Sequence, residues 1–363
     1  MKVKDFIKVI DNFAPFNLSE NWDNTGLLIG DKNTEVTGVI TSLDVTDIVI
    51  DCAIKNNTNL IIAHHPLLFS PQKMIIEDTG VGSLIIKLIK NEISLIAAHT
   101  NLDKSPNGLN QYLAEKIGLT KIKPLITDSS TPYVKIVIYV PKDNCENVRD
   151  AICNAGAGNI GEYSSCTFSS NGIGTFTPGI NTNPYIGKSG QMEMVEEIRL
   201  ETIANRNDVG NIITEMKKVH PYEDVAYDII PLENKKISGG LGRIGILTEG
   251  VKLIDFAEML SNIINYKVTV CGDKERLIKK IALCTGSGSD LWESAYKAGA
   301  DVYITGEVKH HHYLFAQKAG IAIIDAGHFS TEIFAAEILY DEIRKETQDI
   351  NTYIADEKSP TWR

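Results

Sequence analysis

The chain contains no run of about 18 consecutive apolar residues, the length a helix needs to cross a bilayer, so the sequence excludes a helical membrane span. It also lacks any Cys-x-x-Cys pair. Cys52, Cys145, Cys153, Cys166, Cys271 and Cys284 are scattered through 363 residues, a chain too long to need disulfide staples, and a reducing cytoplasm is the expected compartment. Positive charge is in the minority: 36 Lys and Arg stand against 47 Asp and Glu, for a net charge of −11. Affinity for phosphate backbones comes from clustered cations, so a general nucleic-acid binder is not expected. No basic, aromatic-rich segment offers a platform for single strands either. Low-complexity segments are absent. The opening MKVKDFIKVIDNF sets Val3, Phe6, Ile7 and Ile10 at helical spacing among charges, where a signal peptide would need an unbroken apolar stretch, and it reads as a surface helix.

What is present is globular. Hydrophobic residues make up 43% and charged residues 23%, and the length exceeds what one core usually organises, so two or three domains are expected. The first segment reads strand at TGVITSLDV, helix at TDIVIDCAIKNN, strand at NLIIA, helix at GSLIIKLIKNE and strand at ISLIAA. The last segment repeats this order as KKIALC, DLWESAYKAG, DVYIT, HHYLFAQKAG and IAIIDA. Strands of Ile, Val, Leu and Ala without polar alternation are covered on both faces, as in a mostly parallel sheet. The expected fold is α/β: two similar layered halves, 1–125 and 250–363, form one core. Between them, 126–249 alternates more regularly (YVKIVIYVP, EIRLETIA, DVAYDIIPL), carries helices at ENVRDAICNAG and NDVGNIITEMKKV, and reads as an inserted α+β domain. GGLGRIGIL at 239–247 would return the chain to the core.

Chemistry concentrates at four strand ends: LIIAHHP, LIAAHTNLD, VYITGEVKHHH and IIDAGHFSTE. Ligands of open α/β sheets collect at the carboxyl ends of strands, and seven of the eight histidines lie in these segments. Any one of them reads as an ordinary satisfied side chain; together they do not. His64 and His65 are adjacent, and Pro66 after them favours a departure from regular strand geometry that would let both rings face one site. His328 and Glu332, four apart, can converge from a strand end and a first helical turn, with Ser330 or Thr331 as a possible cap. The repeat aligns His99 and Asp103 with His328 and Glu332. Imidazoles and carboxylates without thiolates suit Zn, Fe, Mn, Co or Ni, and a carboxylate can bridge two such ions. Two divalent ions about 3.5–4 Å apart lower the pKa of a shared water and clamp attacking and leaving oxygens, which points to hydrolysis.

These segments, with NWDNTGLLIG and LCTGSGSDL, resemble the NIF-three-like dinuclear-metal family, whose bacterial members are often labelled GTP cyclohydrolase 1 type 2. The resemblance covers roughly 1–125 and 250–363. It implies two metal ions per chain on His64, His65, Asp103, His328 and Glu332, with Glu332 bridging. It implies a toroidal homohexamer enclosing the metal sites, and a PII-like identity for the insert, where HPYEDVAYDIIPL is the matching piece. His220 in that piece is expected to serve fold or access.

Other residues keep two readings. His99 is either an outer partner that orients a ligand or a packed residue. Cys284-Thr-Gly-Ser-Gly-Ser-Asp can hold a substrate phosphate or carboxylate on its backbone N–H groups, or its glycines serve a tight turn. It is neither a P-loop nor a dinucleotide fingerprint, and no organic cofactor is expected. Glu307, at the repeat position of His64 and His65, is the expected catalytic acid or base. His310, His311 and His312 read as a solvated helix start before a catalytic role. Trp22, Asp23 and Asn24 read as an ordered loop that caps local backbone. The expected function is metal-dependent hydrolysis of a small molecule or nucleotide through a metal-bridged hydroxide. The alternative is a noncatalytic metal-binding regulatory or scaffold hexamer.

Overall fold

The computed structural model describes residues 1–77, 80–128, 131–161, 163–236 and 239–360. The chain divides into two compact units, Met1–Asp128 with Ser238–Arg363, and Ser129–Ile237.

The first unit contains two sheets built on the same plan. In one, strands Val39–Ser42, Leu60–Ala63 and Ser94–Ala97 run parallel in that spatial order, flanked by Thr352–Ile354, parallel, and Gly26–Ile29, antiparallel. In the other, Leu277–Cys284, Val302–Thr305 and Ala322–Asp325 run parallel, flanked by Gly239–Lys252 and Thr269–Cys271, both antiparallel, with Thr120–Asp128 at the far edge. Every residue of Leu60–Ala63 and of Ser94–Ala97 is buried. Their side chains alternate between two cores, as the two-residue period of a strand requires. Leu60, Ile62 and Ile96 pack with helices Val3–Phe13 and Phe334–Glu346 through Phe6, Ile10, Ile338 and Leu339. Ile61, Ala63 and Leu95 pack with helices Asp47–Lys55 and Gly80–Lys90 through Val49, Ile50, Ile85 and Leu88. This two-sided burial is why these strands lack polar alternation.

The repeated halves exchange elements. Thr120–Asp128 leaves the first half to edge the second sheet, while Phe334–Glu346 and Thr352–Ile354 leave the second half to cover and edge the first. The result places the carboxyl ends of Leu60–Ala63, Ser94–Ala97, Val302–Thr305 and Ala322–Asp325 at one site.

The second unit is narrower than the 126–249 expected from texture. Strand Gly239–Lys252 pairs Gly239–Ile246 with Thr120–Asp128 and Arg243–Lys252 with Leu277–Cys284, so the chain is already in the core at 239. Alternation cannot separate such a strand from those of an insert, because the difference lies in its pairing partners. The unit itself has the βαββαβ order of a ferredoxin-like sandwich: Thr131–Pro141, Cys145–Asn154, Thr167–Phe176, Glu193–Asn205, Val209–Val219 and Tyr227–Lys236. Its strands are all antiparallel, and Val134, Ile136, Ile138 and Leu200 face Val148, Ile152, Ile212 and Met216 of the two helices.

Candidate metal centre

The centre begins where the ladder of Leu60–Ala63 runs out. His64 N and His65 N still donate to Ser42 O at 3.0 Å and Leu43 O at 2.8 Å, which extends the strand by two residues and fixes both histidine backbones. His64 is fully buried, and its Nδ1 donates to Ala98 O at 2.8 Å. That bond settles the tautomer. Nε2 is left as a lone-pair acceptor with no hydrogen-bond partner among the described residues, 3.8 Å from Asp103 Oδ1. Burial drives the pKa of His64 down to about 3, so the ring is neutral. A buried, unpartnered imidazole nitrogen costs free energy unless something fills it, and its neighbours here are carboxylates.

His65 lies between two acids: Nδ1 is 2.9 Å from Asp44 Oδ1 and Nε2 is 3.0 Å from Glu332 Oε2. Burial pulls its pKa down, but the bonds to Asp44 and Glu332 outweigh burial and raise it to about 10. His328, which starts the short helix His328–Glu332, places Nε2 2.8 Å from the same Glu332 Oε2 and Nδ1 2.9 Å from Glu307 Oε1. The bond to Glu332 leads in raising its pKa to about 9. Glu332 is itself buried, which would raise its pKa; the bonds from His328 and His65 reverse the shift and hold it ionised. Asp103 has only a long contact from Thr285 Oγ1, at 3.5 Å, and burial raises its pKa, with the Glu332 charge adding to the effect. The liganding atoms of His64, Asp103 and Glu332, and of His65, His328 and Glu332, lie close enough together to hold a metal ion. Glu332 belongs to both groups.

The surrounding residues are tied to this geometry. Asn110, fully buried, donates to Asp103 O at 3.1 Å and accepts from Thr285 N at 2.9 Å, which ties the Asp103 helix to the loop after Leu277–Cys284. Gly286 has φ of +61°, and a Cβ there would collide with Glu332 Oε1, so only glycine lets the loop pass so close. In that loop the N–H groups of Thr285, Gly286 and Gly288 are taken by Asn110, Thr331 and Thr305. Three donors of the glycine-rich segment are thus spent within the fold, which favours the tight turn over the anion cradle.

The structure brings His64, His65, Asp103, His328 and Glu332 together. Glu307 stands one bond out: Oε1 is on His328 Nδ1 and Oε2 accepts from Ser287 Oγ at 3.0 Å. His99 also joins the cluster, with a ring nitrogen grouped with those of His64 and His65. Its Nδ1 is 2.9 Å from Asp23 Oδ1, and Asp23 Oδ2 accepts from Thr100 N at 3.0 Å. Burial opposes ionisation of Asp23, but the bonds from His99 and Thr100 bring its pKa down to about 2. The cap expected from Asp23 therefore falls on a helix start 77 residues away as well as on its neighbour Asn24. His312 pairs with Asp290 at 3.3 Å, and neither it, His310 nor His311 belongs to a metal-capable group among the described residues. His220, in the second unit, has Nε2 on Tyr139 O and Nδ1 accepting from Tyr222 N, both at 3.1 Å, which is a structural duty.

Sequence reasoning missed Asp44 and Glu357. The Glu357 carboxylate accepts from Leu43 N at 2.6 Å and Asp44 N at 2.9 Å, and so sets the turn that presents Asp44 to His65. No motif marks either residue. Above the cluster is a cavity of about 620 Å³, with His99, Asp103, His328 and Glu332 in its wall and the exposed rings of Trp22 and Phe69 at its side, 5.7 Å apart.

The family model described as Duf34/NIF3 (NGG1p interacting factor 3) matches residues 1–360. A "GTP cyclohydrolase 1 type 2 homolog" of Halalkalibacterium halodurans is 42% identical over 323 residues, 89% of this chain and 87% of the relative. One of Bacillus subtilis is 41% identical over 331 residues, 91% and 89% of the two chains. The crystal structure of a Bacillus cereus protein related to NIF3 superposes with a TM-score of 0.87 at 38% identity, covering 100% of this chain and 99% of that one.

Proposed function

The chain belongs to the Duf34/NIF3 family, and from that premise we propose that it holds two divalent metal ions on His64, His65, Asp103, His328 and Glu332 and is a metal-dependent hydrolase of the GTP cyclohydrolase kind for which its relatives are named. The observation that carries this reading is His64 Nε2, buried, unpartnered and 3.8 Å from a carboxylate. Neutral imidazole nitrogens and carboxylate oxygens are the donors that borderline divalent ions take, so the residues fit the ions. Bound there, a pair of such ions supplies Lewis acidity and an activated water.

The protein's own residues do the rest. Ala98 O holds His64 so that its lone pair faces Asp103 and Glu332. Asp44 and Glu307 accept the Nδ1 protons of His65 and His328, which fixes both rings and raises their basicity. Nε2 of His65 and Nε2 of His328 both lie on Glu332 Oε2, so these two nitrogens would hold an ion beside that carboxylate only in their deprotonated form, and binding should be weaker in acid. Glu307 acts through His328, as acceptor for its Nδ1 proton, and is a positioning residue in this scheme. Trp22 and Phe69 shield one side of the cavity from solvent. The proposal includes the toroidal homohexamer, and a PII-like origin of the insert that its βαββαβ order supports.

The test is a turnover screen of metal-loaded protein against nucleoside triphosphates and small phosphoesters, with metal content measured in parallel. About two ions per chain and a hydrolytic turnover that Glu332→Gln abolishes are expected. Metal content near zero after reconstitution at neutral pH overturns the site. Two ions without turnover of any substrate favour the noncatalytic regulatory assembly, the reading that the separate inserted unit supports.

A further inference from the structure

The second unit has a cavity of its own, about 400 Å³, a size that takes a small molecule. It lies against the sheet face opposite the two helices: Tyr139 and Glu197 line it, while their strand neighbours Ile138, Val140 and Ile198 turn into the helical core. Three aromatic rings form its walls, with Tyr222 6.0 Å from Phe176 and 6.2 Å from Tyr185. At its base Glu197, 9% exposed, accepts at Oε1 from Tyr222 Oη at 2.8 Å. Glu197 Oε2 has no hydrogen-bond donor among the described residues. Burial, then the neighbouring Glu197 carboxylate, hold the Tyr222 hydroxyl protonated far above the ordinary phenol range, so Tyr222 remains a donor.

Gly174 makes this arrangement possible. It sits inside strand Thr167–Phe176, where glycine weakens the sheet, and a Cβ at this position would collide with Glu197 Oε2. The missing side chain is the space in which the carboxylate lies. Charge in the lining is of one sign: Glu197, Glu223 and Asp224 line the cavity, and no Lys, Arg or His does so among the described residues. An anion is therefore repelled. A bare metal ion is not served either, because no metal-capable group of side chains occurs in this unit among the described residues. Aromatic faces around one buried carboxylate are the combination that recognises ammonium and guanidinium groups, through ring quadrupoles and a charge-assisted hydrogen bond.

We propose that the inserted unit is a binding module for a small organic cation of the alkylammonium or guanidinium class, its charged group on Glu197 Oε2 and its carbon skeleton between Phe176, Tyr185 and Tyr222. This site is independent of the metal centre, and its failure would leave the metal reading untouched.

The test is calorimetric titration of the full-length protein with tyramine, with its neutral and anionic analogues 4-ethylphenol and 4-hydroxyphenylacetate, and with agmatine. A cationic probe should bind at one per chain, about tenfold or more tighter than 4-ethylphenol, and 4-hydroxyphenylacetate should not bind. Glu197→Gln keeps the acceptor for Tyr222 and should weaken the cation about tenfold or more, while metal content stays the same. Tyr185→Ala, on an exposed wall, should weaken it severalfold and decides the matter if Glu197→Gln does not fold. No binding of either cation up to about 10 mM overturns the proposal, as does equal binding of 4-ethylphenol or a cation affinity that neither variant changes.

Discussion

His65 and Glu332 are 267 positions apart in the chain and 3.0 Å apart in space, Nε2 to Oε2. His328 reaches the same oxygen at 2.8 Å, so one carboxylate oxygen is the meeting point of the two halves of the core. Glu332 shares its position in the internal repeat with Asp103, yet the two environments differ: two imidazoles lie within 3.0 Å of Glu332, whereas Asp103 is buried with its nearest imidazole, His64, at 3.8 Å.

Glu332→Gln and Asp103→Asn should therefore differ. Glu332→Gln removes the charge and one oxygen donor from the two metal-capable groups that contain it and should lower occupancy at both positions. Asp103→Asn should lower mainly one and leave close to a single ion per chain. Anomalous scattering from crystals of each variant reads the two positions separately. Two full peaks in Glu332→Gln, or equal losses in both variants, would remove the shared-ligand role.

Glu357 is expected to matter for metal binding although it touches no ligand. Its carboxylate holds the backbone N–H groups of Leu43 and Asp44, and Asp44 holds His65. Glu357→Ala leaves two donors unpaired and should cost about 1–3 kcal/mol of stability. Metal affinity should fall about tenfold or more, the usual effect of losing an outer partner. Glu357→Gln, which keeps one acceptor, should fall between. Thermal melts and metal titrations of both variants check this, and unchanged affinity in Glu357→Ala would disconnect the turn from the site.

Asp23 makes acid sensitivity a local property. Its pKa is about 2 in the folded chain against 3.8 ordinarily, so the unfolded chain takes up its proton first as pH falls. The resulting stability, about 2 kcal/mol, is present above about pH 4 and is lost as pH drops toward 2. Asp23→Asn should lack this component. Urea unfolding of both proteins from pH 5 to pH 2 should show curves that converge in acid, and a constant gap across the range would refute the assignment.

The insert should be removable at a defined place. Asp128 and Gly239 are paired across neighbouring antiparallel strands, so a chain lacking 129–238 needs only a short turn, such as Asn-Gly, to reconnect them. That chain should fold and keep its metal stoichiometry, because every proposed ligand lies in the first unit. A deletion running from 126 to 249 should fail, since it takes away the residues of Gly239–Lys252 that pair with both Thr120–Asp128 and Leu277–Cys284. Circular dichroism and metal analysis of the two products separate these outcomes.

Much of this molecule is local in origin. The strands and helices of both halves follow from their periods, because a strand buried on two faces must be apolar throughout and a helix on its surface must be apolar on one stripe. The histidines and carboxylates at strand ends were legible for the same reason: a polar residue directly after an apolar strand has to be at an end of the sheet. Tertiary structure decided the rest. Whether Gly239–Lys252 belongs to the core or the insert depends on which strands it pairs with. Asp44 and Glu357, and the bond of Asp23 to His99, could not be found from spacing, because each acts on a residue brought near only by sheet order or by the return of the chain's last strand. Nor could any motif show that His64 carries its proton on Nδ1 and leaves Nε2 bare. The carbonyl of Ala98, one strand over and 34 residues on, determines that, and with it which atom is free to bind.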